Sequence, residues 1–233
     1  MISSGAMFTT EVKRGLIDHV PELAIADVLG STEGGMGQSI MTKDTPPSET
    51  AKFTLLPVAK VLLPDGSREV VPGSGEVGMV AQGGMVPLGY YKDPEKSAKT
   101  FKEIDGTRYA FIGDMATIDA DGTINLLGRG SNCINTGGEK VFPEEVEEAL
   151  KLHPHVADAL VFGLEDERFG NRVAGVVSLE QGGTAEAGDI LEATRKLLAS
   201  YKLPKDLLVV PVVPRAPNGK ADYKTAKSMM ADG

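Results

Sequence analysis

The stretch Gly137-Gly138-Glu139-Lys140-Val141-Phe142-Pro143-Glu144-Glu145-Val146-Glu147 decides how the second half of the chain is read. Proline suits the first turn of a helix, where its missing N–H is not needed, so Pro143 marks a helix start. Glu144 and Glu145 then sit at the positive end of the helix dipole, and Val146, Ala149 and Leu150 share one face. Two β segments follow, Ala159 to Phe162 and Val173 to Leu179. Next come a helix expected to be capped by Asp189, with Leu191, Thr194, Leu197 and Leu198 on one side, and a last strand over Leu207 to Val213. Intermixed β and α over about a hundred residues is enough chain for a small core of its own.

Working upstream, the texture changes at Gly128-Arg129-Gly130-Ser131, and a domain boundary falls at Gly130 or Ser131, giving domains 1–130 and 131–233. The first begins with a short strand, Met1 to Ser4, and a helix that Thr9 or Thr10 caps, with Val12, Leu16, Ile17 and Val20 on one face before Pro21. A strand near Leu23 to Leu29 runs into Gly30-Ser31-Thr32-Glu33-Gly34-Gly35. From Phe53 to Val80, short apolar runs between Pro64-Asp65-Gly66 and Pro72-Gly73 read as antiparallel β, and Ala116 to Leu127 as a hairpin turning at Asp121-Gly122. The opening strand and helix would not close a domain with those β segments alone, so residues 1–130 read as the closing part of something larger.

Composition narrows the function. A chain of 233 residues, 41% hydrophobic and 24% charged, is an ordinary globular chain rather than a disordered one. No apolar run approaches the ~18 residues of a membrane span, so integral membrane association is not expected. Residues 1–14 lack a basic cap followed by an apolar core, so they are read as no secretory signal. The single cysteine, Cys133, makes no internal disulfide and fits a reducing, cytoplasmic setting. Lys and Arg number 24 against 33 Asp and Glu, and a net charge of −9 argues against nucleic acid as a partner. A phosphate-bearing ligand must then be held by a few local cations and backbone amides.

Four separated stretches, taken in order, resemble the adenylate-forming superfamily of acyl-CoA synthetases, luciferases and peptide-synthetase adenylation domains. They are Gly30 to Gly35; Pro72-Gly73-Ser74-Gly75-Glu76-Val77-Gly78 leading to Gly89-Tyr90-Tyr91; Gly113-Asp114 with Asp121-Gly122, Gly128-Arg129 and Gly137 to Glu147; and Pro217-Asn218-Gly219-Lys220. The resemblance implies α/β and α+β architecture: a β-rich closing part of a large AMP-binding domain, then a small mobile α+β C-terminal domain. It implies activation of a carboxylic acid with ATP to an acyl-adenylate, then transfer to the thiol of CoA. Within the superfamily, Gly137 to Pro143 looks most like fatty-acyl-CoA synthetases, including those that act on bulky acids such as steroid side chains.

The resemblance also assigns roles. Gly30 and Ser31 belong to the nucleotide-binding stretch, Thr32 donates its hydroxyl to the α-phosphate, and Glu33 holds the Mg²⁺ that bridges the phosphates. A carboxylate is a suitable hard ligand for an ion that keeps several waters. Taken alone, Ser-Thr-Glu after glycine reads equally well as a helix cap. Gly34 and Gly35 leave room for an acyl group close to the backbone. Asp114 accepts the ribose hydroxyls, and Arg129 contacts ribose and phosphate with its planar fork. Ser131 stands at the hinge, Gly137 and Gly138 pass the pantetheine arm of CoA, and Lys140 meets a phosphate of CoA or adenylate. Lys220, a point charge on a flexible stem, contacts the carboxylate and α-phosphate as charge builds there.

The chain departs from the family in three places. Leu29 stands where relatives place an aromatic on adenine, and Ser131 where they commonly place a charge. Nothing in Met1 to Leu29 matches the Ser/Thr/Gly-rich loop with lysine that cradles pyrophosphate, so a preceding portion of the same enzyme is implied and the isolated chain is expected to be inactive. Two alternatives stay open: a non-catalytic AMP- or CoA-binding module, and an adenylating enzyme that feeds a carrier-protein thiol. Other signals are set aside. Gly73-x-Gly75-x-x-Gly78 spells a dinucleotide fingerprint without the helix it needs. His153 and His155 read as turn residues, and Cys133 as a buried, inert thiol in a strand.

Overall fold

The computed structural model describes residues 1–5, 8–46 and 50–232. They divide into two compact units, Met1–Leu127 and Gly128–Gly233. In chain order, the first unit holds β1 (Ile2–Ser4), α1 (Thr10–His19), β2 (Ile25–Ser31), β3 (Gly34–Met41), β4 (Lys52–Leu55), β5 (Ala59–Leu62), β6 (Gly78–Gly83), α2 (Pro94–Thr100), β7 (Phe101–Ile104), β8 (Thr107–Ile118) and β9 (Thr123–Arg129), whose end carries the chain out of it. The strands form one sheet in the order β1-β2-β3-β4-β9-β8-β6-β5, with β7 added to β8. β1 runs parallel to β2, and the paired strands beyond β2 are antiparallel, as in β2 with β3 and β6 with β8.

Alternation along β2 buries Ile25, Asp27 and Leu29. Leu29 joins Met36, Phe53, Val61, Val80, Ala116, Ile118 and Ile124 in the main core of this unit, so it serves as a core residue. The face of α1 differs from the expected one. Val12 and Val20 are exposed, and the buried positions are Ile17 and Lys13. Lys13 is admitted because its ammonium lies 2.8 Å from Asp27 Oδ2, with both side chains about as buried as core residues (6% and 7% exposed). The Thr9 side chain accepts from the Val12 N–H and caps α1.

The second unit opens with a 3-10 turn over Gly130–Asn132, followed by β10 (Ile134–Thr136), β11 (Glu139–Val141), α3 (Pro143–Lys151), β12 (Val156–Asp166), β13 (Gly170–Leu179), α4 (Ala187–Thr194), a 3-10 turn over Ser200–Lys202, β14 (Asp206–Val209) and α5 (Tyr223–Asp232). Its sheet runs β11-β10-β13-β12, with β14 parallel to β13. Pro143 does open α3, and Val146, Ala149 and Leu150 are buried against β12 and β13 together with Ile190 of α4. The other sheet face packs Leu160, Phe162 and Val176 under Ala226 of α5.

Three expectations here are corrected. Glu186, not Asp189, is the cap of α4; Asp189 is the reciprocal partner in its first turn, and Leu197 beyond the helix is 53% exposed. The last strand ends at Val209, and Val212 is 72% exposed. Cys133 follows the 3-10 turn and precedes β10 rather than lying in a strand; it is half-buried, and burial pushes its thiol up.

One acidic side chain of α3 makes the stability of this unit pH-dependent. Glu147 accepts the Val161 N–H at 2.9 Å, but burial outweighs that bond and, with Glu144 nearby, lifts its carboxyl from 4.5 to about 7. A raised folded pKa means the unfolded chain releases the proton first. The contribution is therefore complete below pH 4.5 and is lost as pH climbs to about 7. Glu147→Gln keeps an acceptor for Val161 and removes the titration. The variant is expected to be more stable than the parent at pH 8, by roughly 2–3 kcal/mol, and no more stable at pH 4. Urea denaturation at the two pH values checks this.

Candidate functional site

The strand β2 returns into β3 with Ser31 paired to Gly34, so Thr32 and Glu33 form a two-residue hairpin turn. The helix-cap reading of Ser-Thr-Glu is therefore wrong: the β-rich surroundings take both flanks into the sheet. A bulge between Leu29 and Gly30 precedes the turn, and a Cβ at Gly30 would sit 3.2 Å from the Gly34 carbonyl oxygen. Bulges re-aim the residues that follow them. Here the turn points its polar groups at one carboxylate. The Ser31 hydroxyl donates to Glu33 Oε2 at 2.7 Å and the Thr32 hydroxyl to the same oxygen at 3.1 Å. The Glu33 N–H donates back to Ser31 Oγ at 3.1 Å. On the other side, the Tyr90 hydroxyl donates to Glu33 Oε1 across 57 residues of sequence.

These bonds set the charge of Glu33. Partial burial pushes its carboxyl upward, but the donors Ser31, Tyr90, its own backbone and Thr32 together outweigh that and hold it at about 2. The group is thus ionised throughout the physiological range. A permanently ionised carboxylate is a hard oxygen donor, and it fits a magnesium-like ion that takes one or two carboxylates and fills its shell with phosphate and water. Among the described residues no cluster of three or more His, Cys, Asp or Glu could hold a metal by itself. Such an ion would depend on its ligand's oxygens.

Sequence reading did not assign Tyr90 or Gln82 to this site. Tyr90 lies in the quoted Gly-Tyr-Tyr stretch, and that was its only signal. Gln82, at the end of β6, crosses to the turn so closely that a Cβ at Gly34 would lie 2.8 Å from its Cγ. Its Nε2 donates to the Gly83 carbonyl at 3.0 Å, while its buried Oε1 has no partner. Asp114 is 8% exposed and follows Gly113, whose φ of +97° favours glycine. Both lie where the β6–β8 register slips, with Met79 opposite Met115 and Ala81 opposite Phe111. The slip bulges Ile112 to Asp114 out of the ladder. Gly73 and Gly78 lead into the strand β6, so the glycine pattern there shapes β structure.

The second unit carries the other assigned residues. Gly128 takes φ +126°, a conformation that strains any L side chain, and a Cβ there would stand 2.1 Å from Glu144 Oε2, so that carboxylate would have to swing aside. The Arg129 N–H reaches Glu144 Oε1 at 3.4 Å, and Ser131 is exposed in the 3-10 turn. Gly137 and Gly138 are the two central residues of the β10–β11 hairpin, with Thr136 paired to Glu139. Their φ values of +58° and +92° explain two successive glycines in a turn whose twist must match its strands. The Gly137 N–H donates to the Phe169 carbonyl at 3.0 Å, and Lys140 stands exposed on β11. His153 and His155 occupy the turn between α3 and β12, with ring centroids 5.7 Å apart.

Lys220 ends a short loop. Its N–H bonds Asn218 Oδ1 at 3.2 Å, and its carbonyl accepts the Ala216 N–H at 2.8 Å. The ammonium is exposed and takes no partner among the described residues. Thus the structure gathers Gly30 to Glu33 at one turn with Tyr90 and Gln82. Gly137, Gly138 and Lys140 sit on one hairpin, and Lys220 stands in a separate loop.

The chain is similar to known proteins in sequence and in fold. Residues 145–220 match the family described as the AMP-binding enzyme C-terminal domain. The chain is 46% identical, over 97% of its length, to the 3-oxocholest-4-en-26-oate–CoA ligase of Rhodococcus rhodochrous, of which it covers 41%. It is 45% identical over 98% of its length to a medium/long-chain-fatty-acid–CoA/3-oxocholest-4-en-26-oate–CoA ligase of Mycolicibacterium smegmatis, covering 42% of that protein. Among solved structures, ATP-bound MatB from Rhodopseudomonas palustris superposes with a TM-score of 0.80 at 27% identity, covering 99% of this chain and 45% of that one. The chain therefore spans less than half the length of the curated relatives it matches.

Proposed function

Because the chain belongs to the adenylate-forming family of AMP-binding enzymes, we propose that it supplies the closing part of an acyl-CoA ligase acting on a fatty or bulky apolar carboxylic acid. What carries this reading is the 46% identity to an acid–CoA ligase along 97% of the chain. In the first step a carboxylate oxygen of the acid bonds the α-phosphorus of ATP and pyrophosphate leaves. In the second the thiolate of CoA bonds the acyl carbon and AMP leaves.

The residues divide that work. Glu33, ionised and braced by Ser31, Thr32 and Tyr90, would hold the Mg²⁺ whose charge offsets that of the phosphates. The Thr32 hydroxyl would meet the α-phosphate, with Gly30 and Ser31 binding the nucleotide from the adjoining strand end, and Asp114 and Arg129 would meet the ribose, Arg129 also a phosphate. Lys220 would bring its exposed ammonium to the oxygens where negative charge accumulates. Gly137, Gly138 and Lys140 would line the approach of CoA, with Ser131 taking the φ/ψ change between steps. Residues 1–130 would be the closing part of the large domain and 131–233 the small mobile one. No helix among the described residues is long and apolar enough to cross a membrane. The single cysteine, Cys133, suits a reducing compartment and supports assigning the reaction to the cytoplasm.

The reading is tested by fusing the front of the Rhodococcus ligase to this chain and following AMP release. Acid- and CoA-dependent formation of AMP and acyl-CoA is expected. Release of ADP, or AMP formation indifferent to the acid, would overturn the proposal.

A further inference from the structure

We propose that the ion pair of Asp158 with Arg215 is the positioning clamp of the Lys220 loop. The inference rests on the role given to Lys220 above. It begins at a defect in the sheet. The β12–β13 register slips between Val156 and Asp158, and such bulges turn a side chain out of its regular direction. The Ala159 N–H then donates to Asp158 Oδ1 at 2.9 Å and fixes the carboxylate's orientation.

The carboxylate so held takes Arg215 in a fork. Arg215 Nε lies 2.6 Å from Asp158 Oδ2, and Nη2 lies 2.7 Å from Oδ1. Two parallel charge-assisted bonds define a plane, which a lysine could not do. Arg215 also begins the loop. Its remaining nitrogen, Nη1, reaches the Gly219 carbonyl at 3.4 Å, and its backbone pairs with Ala221 across the loop. Inside, the Ala216 N–H bonds the Lys220 carbonyl and the Gly219 N–H bonds the Ala216 carbonyl, both at 2.8 Å. Gly219 takes φ +79° to close the turn. Lys220 is therefore mounted on a small hairpin whose base is bolted to β12 through one guanidinium.

The pair is half-exposed, with side chains 33% and 29% accessible, and exposed ion pairs add little to global stability. Its geometry serves orientation instead. A mobile stem gains from a fixed base, because the cation must reach one place relative to the reacting atoms.

Amide hydrogen exchange on the 233-residue chain tests the clamp. In Asp158→Asn, exchange of the Ala216 and Gly219 amides is expected to speed up by roughly tenfold or more, the order for losing a charge-assisted hydrogen bond. Exchange at Val161 and Val176 in the sheet should not change. Arg215→Lys, which keeps the charge but loses the fork, should speed exchange at the same two amides. Unchanged loop exchange in Asp158→Asn, or acceleration spread equally over the sheet, would overturn the proposal. Failure of the underlying reading looks different: the loop responds as described, but Lys220→Ala leaves adenylation in the fusion enzyme intact.

Discussion

Lys220→Ala is expected to lower acid-dependent ATP–pyrophosphate exchange by the fusion enzyme on the order of 100- to 1,000-fold, the loss seen when one charge-stabilising donor is removed from a transition state. As the carboxylate oxygen closes on the α-phosphorus, negative charge grows on the equatorial oxygens. An ammonium aimed there is worth most at that moment. Among the described residues the Lys220 ammonium has no partner to leave, so none of their ion pairs must be broken to bring it in. Because the contact belongs to the transition state, the loss should fall on kcat with little change in the KM for ATP. The second half-reaction, started from synthetic acyl-adenylate and CoA, should slow far less. Equal loss in both half-reactions, or none in exchange, would assign the charge stabilisation elsewhere.

The second large effect concerns the fold. Lys13→Met is expected to destabilise the chain by about 3–5 kcal/mol, because it leaves Asp27 buried without its counter-charge. The pair is 2.8 Å apart with side chains 6% and 7% exposed, so water cannot take over from the missing ammonium. Asp27→Asn should cost a similar amount for the mirrored reason. Replacing both by apolar residues of like volume, Lys13→Met with Asp27→Leu, should recover most of the loss, since desolvation of two charges offsets much of their attraction. Urea unfolding followed by circular dichroism distinguishes the cases. If the double variant is as unstable as either single one, the cost lies in packing rather than in the unpaired charge.

The same pair shows where sequence reading stops. Local signals were sound where the physics is local. Pro143 with Glu144 and Glu145 announces α3, and Asp121-Gly122 announces the turn before β9, because proline, helix dipole and positive φ act within a few residues. On α1, hydrophobic periodicity pointed Val12 and Val20 inward, yet the buried face contains Lys13, whose partner lies on β2. A buried charge is invisible until its counter-charge is placed. Glu33 is similar: Ser31 and Thr32 beside it were legible, while Tyr90 comes from 57 residues away. Asp158 and Arg215 are equally far apart in sequence. The helix α5 was missed, although Tyr223, Ala226, Met229 and Met230, which pack against the sheet, stand at helical spacing. Polar pairs brought together by separate elements were what one sequence could not supply, and on α1 such a pair also overrode the apolar pattern.

Gly128 carries a consequence for anyone who varies this chain. The carboxylate of Glu144 fills the volume that even a methyl would need. A saturation library at position 128 should return glycine almost alone, and shortening residue 144 should not rescue alanine, because the φ of +126° strains any L side chain while the Glu144 carboxylate can swing aside. Scans that replace Gly128 will thus record a demand of the backbone conformation, which is easily mistaken for chemical necessity.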